Sequence, residues 1–284
     1  MKLREDALIL RDILSNSSFR KDAVHVAKAK MMEEIYGAMV LAFGPPPKPD
    51  ERFEWTYADK DGKYHKMTTT PREFYRLSDF KAEDHFSLIN DPRNKYNTLY
   101  TVDRLKNSIA TRLTDTNCLV TEGKGVAYVN TTSDTMKSVA IKMIKSNRPV
   151  FFGSDVGQFS DRQMGVMDTD LYDYTLGFNL SLRMTKADRI RTGTSAMTHA
   201  MVLTGVDLDK DGKPVKWRVE NSWGADLGKG GYFLMTDRWF DEYVYQIVCA
   251  FFDAPKELGE VFRRGDAVVL PAWDPMVYIP VRHD

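Results

Sequence analysis

The chain has 284 residues, 43% hydrophobic and 28% charged, enough to bury a large core in one domain or two packed ones. Its 40 basic and 40 acidic residues cancel, so bulk charge gives no reason to expect nucleic acid or an anionic membrane as partner. No apolar run of about 18 residues occurs, the opening MKLREDALILRDILSN carries charges inside its apolar pattern unlike a signal peptide, and Cys118 and Cys249 are too few for a disulfide framework, so a soluble cytoplasmic protein is expected.

In chain order, Leu3, Ala7, Leu10 and Leu14 recur at helical spacing until Ser15-Asn16-Ser17-Ser18 interrupts them. A second helix is predicted from about residue 20 to 43, with Val24, Ala27, Met31, Ile35, Ala38 and Ala42 on one face and Gly44-Pro45-Pro46-Pro47 ending it. The pair reads as a helical hairpin, either a packing unit or an arm that contacts neighbouring subunits. Phe53, Trp55 and Tyr57 alternate before Asp61-Gly62, a hairpin signal, and Thr70-Pro71-Arg72-Glu73 is a capping box that starts a helix. NDPRNKYNTLYTVDRL reads as a long ordered loop and a strand. Met136, Val139, Ala140 and Met143 share one side of a helix, and Pro149 to Gly153 begins a buried strand. Further strands are expected over 174–182, 200–206, 215–220, 232–235 and 243–252. The pattern therefore divides into a helical part, residues 1–145, and a β-rich part, residues 146–284.

The β-rich part carries the chemistry. Met201 to Val206 and the alternating Val215, Trp217 and Val219 flank Asp209-Lys210-Asp211-Gly212, so they pair as an antiparallel hairpin. A turn centred between Lys210 and Asp211 sets His199 opposite Ser222, and a shift of one residue sets it opposite Asn221. Either register brings a histidine to an Asn-Ser-Trp-Gly segment. A histidine acting as general base must be held in one tautomer, and an amide oxygen does that without adding charge. The other ring nitrogen then faces a nucleophile, and Trp223 can cover the pair and lower the local dielectric. On residue type alone, His199 is an ordinary hydrogen-bonded structural histidine, Asn221 a turn cap and Trp223 a core residue. The other histidines, His25, His65, His85 and His283, are expected in solvent. With five scattered histidines and no CxxC or HExxH, no metal site and no cofactor are expected. Gly224, Gly228, Gly230 and Gly231 lack the spacing of a nucleotide loop and read as turn residues.

The segments THAMVLTGV, KWRVENSWG and GKGGYFLMTDRWFDEYVYQIV resemble the histidine and asparagine segments of papain-like cysteine peptidases of the bleomycin hydrolase and aminopeptidase C branch. The resemblance extends through FFGSDVG, NDPRNKYNTLYTV and LPAWDPM, nearly the whole chain. It implies an α+β, papain-like cysteine proteinase fold, incomplete here, with a helical N-terminal part and an antiparallel β-barrel-like C-terminal part. It also implies a thiol aminopeptidase acting on peptide substrates, usually a homohexamer with its sites facing an internal cavity. By this resemblance His199 is the catalytic base, Asn221 its orienting residue and Trp223 the shielding indole, while Ala200 lies where such enzymes line a substrate pocket. The family's nucleophile sits upstream in a QxxGxCW-like segment, which this chain lacks; neither Cys118 nor Cys249 has that setting. The chain is thus expected to be the C-terminal portion of the enzyme, inactive alone. The family's chains also end soon after this last motif, with a terminal carboxylate in the cleft, whereas VYIPVRHD continues past Met276. The alternative is an inactive scaffold, a binding or assembly protein derived from the peptidase.

Overall fold

The computed structural model describes residues 2–15, 21–78, 80–102, 126–271 and 274–276. These fall into two units, one of residues up to Ala82 and one from Glu83 onward. Cys118, His283 and the segment VYIPVRHD lie outside the described residues.

In the first unit, helix α1 (Lys2–Ser15) packs on helix α2 (Lys21–Phe43), as the apolar spacing predicts. Lys2 on α1 reaches both Asp6 at 3.0 Å and Glu34 on α2 at 3.1 Å. Strands β1 (Phe53–Ala58) and β2 (Tyr64–Thr69) form a two-stranded hairpin whose register runs without interruption from Phe53↔Thr69 to Ala58↔Tyr64. Helix α3 (Pro71–Leu77) starts at the predicted capping box: Thr70 Oγ1 accepts from Glu73 N at 3.2 Å and Glu73 Oε2 accepts from Thr70 N at 3.1 Å. Phe74 then sets its ring edge-on to Trp55, centroids 4.8 Å apart. His65, expected in solvent, is instead half-buried and bonded to the Asp59 carboxylate at 2.7 Å. That bond holds the Asp59 carboxyl below the usual carboxylate range.

In the second unit one sheet runs in the order β13-β4-β5-β3-β12-β6-β9-β10-β11-β8-β7. The strands are β3 (His85–Ile89), β4 (Thr98–Val102), β5 (Ala127–Asn130), β6 (Val150–Ser154), β7 (Ser160–Asp161), β8 (Val166–Met167), β9 (His199–Leu208), β10 (Pro214–Glu220), β11 (Tyr232–Thr236), β12 (Val244–Ala250) and β13 (Ala267–Leu270). The pairings show a large mixed sheet and not the expected antiparallel arrangement throughout: among the described residues β13–β4, β3–β5 and β11–β8 are parallel. Three of these strands precede residue 146, so the expected division there falls inside this unit, between helix α4 (Ser133–Lys145) and β6. Residues 174–182, expected as a strand, instead hold the short helix α5 (Tyr174–Phe178). Asp173 caps it, its Oδ1 accepting from Leu176 N at 2.8 Å, and Asn179 closes it in the left-handed region at φ 52°. Two polar end signals outweigh the apolar alternation between them.

The core lies where α4 meets the sheet. Met136, Val139, Ala140 and Met143 are all buried, as their spacing predicts, in one cluster with Phe152, Leu203, Trp217, Met235 and Phe240. Trp217 is fully buried and its indole N–H donates to Asp237 Oδ1 at 3.0 Å, on helix α7 (Asp237–Tyr243). Each such large side chain contributes roughly 2–3 kcal/mol by leaving water, which makes the middle of the sheet a firm base for the residues at its end.

Candidate active site

The β9–β10 hairpin is tighter at its turn and less regular along its strands than the sequence suggests. Asp209 N donates to Lys213 O at 2.8 Å, and Gly212 N donates back to Asp209 O at 3.0 Å. Asp209 Oδ1 collects the N–H groups of Asp211 and Lys213 at 2.9 and 2.8 Å. Gly212 takes φ 80°, the left-handed position that completes a three-residue loop. The turn is therefore centred on Asp211, not between Lys210 and Asp211. Two register shifts follow, and the ladder ends with Val219↔Leu203 and Glu220↔Val202. Neither Ser222 nor Asn221 is in register opposite His199; that line continues to Trp223.

What brings Asn221 to His199 is the departure of the chain from the ladder. Beyond Glu220, Asn221 N donates to Gly231 O at 3.1 Å, just ahead of β11. The Asn221 side chain then turns back to His199, and Nε2 lies 2.8 Å from Oδ1. The same Oδ1 accepts from Ser222 N at 2.8 Å, which fixes it as the oxygen of the amide. An amide oxygen only accepts, so His199 Nε2 donates and Nδ1 keeps the free lone pair.

Trp223 stacks on His199, centroids 4.9 Å apart at 27°, and meets Phe233 edge-on at 5.7 Å. The Arg162 guanidinium lies 4.6 Å from the same indole ring. His199, Asn221 and Trp223 are all half-buried, so one face of the imidazole is shielded while the site stays open to a ligand. Ala200 is exposed on β9, paired with Gly153 of β6, and Ser154 pairs with His199 in the same ladder. Two buried polar atoms here have no partner among the described residues, Asn221 Nδ2 and Ser154 Oγ. The sequence points to His199, Asn221 and Trp223 through the hairpin. Arg162, Ser154 and Phe233 carry no such signal, because sheet pairing alone brings them near.

The arrangement can hold a neutral imidazole in one tautomer, take a proton at Nδ1 and return it. Cys249 does not serve it: the thiol is fully buried on β12, opposite Phe86 of β3, and burial pushes it up to about 12. Among the described residues no group of three or more His, Cys, Asp or Glu is placed to hold a metal, and no helix is long and apolar enough to cross a membrane.

A model of the peptidase C1-like family matches residues 1–277. Human bleomycin hydrolase is 42% identical over 284 residues, covering 97% of this chain and 59% of its own length. Aminopeptidase C of Streptococcus thermophilus is 41% identical over 279 residues, 96% of this chain and 59% of its own. The mitochondrial cysteine proteinase 1 of Saccharomyces cerevisiae is 41% identical over 281 residues, 97% of this chain and 55% of its own. The crystal structure of PepW from Lactobacillus rhamnosis superposes with a TM-score of 0.83 at 42% identity, over 98% of this chain and 60% of that one. The fold is thus papain-like, an α+β fold built here on a large mixed sheet. The chain spans between a half and two thirds of the length of these relatives.

Proposed function

The chain belongs to the peptidase C1-like family, and from that premise we propose that it carries the base and the orienting amide of a bleomycin hydrolase-type cysteine aminopeptidase, whose thiol comes from sequence outside it. One observation carries the reading: the 2.8 Å bond from His199 Nε2 to Asn221 Oδ1, under the Trp223 ring, leaves Nδ1 as the only nitrogen able to act as base. The relatives' names, bleomycin hydrolase and aminopeptidase C, support peptides as the substrate class and the amino terminus as the end attacked.

In the proposed cycle His199 Nδ1 takes the thiol proton, giving thiolate and imidazolium. The thiolate adds to the scissile carbonyl carbon, and its oxygen takes the negative charge. As the C–N bond breaks, Nδ1–H gives its proton to the departing amine, leaving a thioester. His199 then takes a proton from water, the hydroxide attacks the thioester, and as the C–S bond breaks to release the acid, Nδ1–H returns its proton to the departing sulfur and restores the thiol. Throughout, Asn221 keeps the ring from flipping, and Trp223 shields the bond between them from water. Ala200, exposed beside His199, is proposed to line a substrate pocket. The cytoplasm, where thiols stay reduced, is the proposed compartment. A homohexamer is the proposed assembly, which light scattering on the full-length gene product tests directly.

Hydrolysis of an aminoacyl fluorogenic substrate by the full-length gene product, lost in His199→Ala, is the expected result. Full activity in that variant overturns the assignment. A second reading, a binding or assembly protein that kept the scaffold, is favoured by the burial of Cys249, which leaves the described residues without an accessible thiol. A gene whose frame has an authentic start at Met1 and no upstream cysteine segment would select it.

A further inference from the structure

Behind the histidine lies a buried polar cluster that the proposed cycle does not use. Asp155 follows Ser154, the partner of His199 in the β6–β9 ladder, and Thr198 precedes His199, so the two residues form the next step beyond the ladder's end. Thr198 N donates to Ser154 O at 3.0 Å and Asp155 N donates to Tyr243 O at 3.1 Å. The Asp155 carboxylate is 4% exposed and spans the gap: Oδ1 accepts from Thr198 Oγ1 at 3.2 Å and Oδ2 accepts from Ser195 Oγ at 2.8 Å. Since Ser195 spends its hydrogen on Asp155, its oxygen accepts from the Tyr245 hydroxyl at 2.6 Å, and both of those residues are fully buried. Met197 completes the clamp. A Cβ on Gly153 would lie 2.3 Å from Met197 Sδ, so the bare backbone of β6 is what lets this segment lie flat against it.

No lysine or arginine pairs with Asp155 among the described residues. A buried carboxylate held by two hydroxyl groups alone is costly as a stability device. Its two bonded neighbours, Ser195 and Thr198, both belong to the segment that leads into His199. We propose that Asp155, acting through Ser195 and Thr198, is a positioning residue that sets the direction of the His199 ring. The inference rests on the reading of His199 as the base. It adds that the ring's aim is set from two sides, by Asn221 at Nε2 and by Asp155 through the backbone at Thr198.

The test uses the full-length gene product and an aminoacyl fluorogenic substrate. Thr198 is exposed, so Thr198→Val removes one hydroxyl without disturbing the core, and Thr198→Ser keeps it. Asp155→Asn forces an amide N–H₂ against a hydroxyl that now donates. Misaiming a base by a fraction of an ångström costs roughly tenfold or more in rate. We expect kcat to fall about tenfold in Asp155→Asn and severalfold in Thr198→Val, with KM within about twofold and the acid limb of the pH–rate profile displaced, and Thr198→Ser to behave as the wild type. A structural role alone would lower the melting temperature and leave kcat per active site and the pH profile unmoved. Activity that requires His199 but is indifferent to Asp155→Asn and Thr198→Val overturns the inference alone. An inactive wild type, or activity that survives His199→Ala, overturns the reading beneath it and the inference with it.

Discussion

The same five residues, Asp-Lys-Asp-Gly-Lys, close two hairpins in this chain, at 59–63 and at 209–213. The turns are almost superposable in their bonding. Asp59 N reaches Lys63 O at 2.9 Å and Asp209 N reaches Lys213 O at 2.8 Å, Gly62 and Gly212 sit at φ 78° and 80°, and each aspartate oxygen gathers the same two backbone N–H groups. Beyond the turns the two diverge. The β1–β2 hairpin pairs only with itself and keeps one register throughout, while β9 and β10 each have a second neighbour, β6 and β11, and shift register twice. Turn chemistry thus specifies that a hairpin forms. The sheet around it decides what meets at the far end, and in the second hairpin that is His199 with Asn221.

Breaking the far end should have the largest effect. His199→Ala in the full-length gene product is expected to lower kcat for an aminoacyl substrate by about 10³-fold or more, because base and acid are lost together. Next comes the strand interior, where Trp217 of the second hairpin is fully buried and Trp55 of the first is 36% exposed. Trp217→Ala should cost about 3–5 kcal/mol and Trp55→Ala about 1 kcal/mol, read from urea midpoints. Equal losses would mean that the sheet adds nothing to the second hairpin.

Lys186 sharpens the comparison by testing the sheet's own supports. It lies on helix α6 (Lys186–Arg191) and donates to Asn90 Oδ1 at 2.9 Å, Asp241 O at 2.8 Å and Val244 O at 2.7 Å, tying that helix to the start of β12. Lys186→Met leaves a buried amide oxygen unpaired and should cost about 2 kcal/mol. Burial pulls its ammonium down to about 7, whereas an unfolded lysine keeps its proton to the usual value of about 10.4. Between those values the unfolded chain holds more protons, so this residue makes stability rise with pH across that window and leaves it flat below about 7. Denaturation at pH 7 and pH 9 should show the rise in the wild type and its loss in Lys186→Met. The smallest effect belongs to the turns. Gly62→Ala and Gly212→Ala should each cost about 1 kcal/mol from the left-handed backbone alone, since a Cβ at either meets nothing within 4 Å. Unequal costs would show that the two turns are not equivalent.

Much of the second hairpin was legible in the sequence, because apolar alternation on both sides of Asp-Lys-Asp-Gly names two strands and their turn. The α4 face was legible for the same reason: four apolar residues at helical spacing leave one way to bury them. The register at His199 was not, since the loop holds three residues and the bulges depend on β6 and β11, which no local pattern encodes. Strand β3 was hidden in a polar stretch, and α5 was obscured by apolar alternation that Asp173 and Asn179 override. Ser154, Asp155 and Arg162 lie roughly 40 residues from His199 in sequence, and only the β6–β9 and β11–β8 pairings bring their segments into one sheet.

Covalent labelling of the full-length gene product with a thiol-directed peptidyl electrophile, followed by mass mapping of the modified residue, tests the pairing of His199 with an outside thiol most directly. The expected label falls on a single cysteine outside residues 1–284, and its rate drops sharply in His199→Ala. A label on Cys249 or Cys118, no label at all, or a labelling rate indifferent to His199 would contradict it.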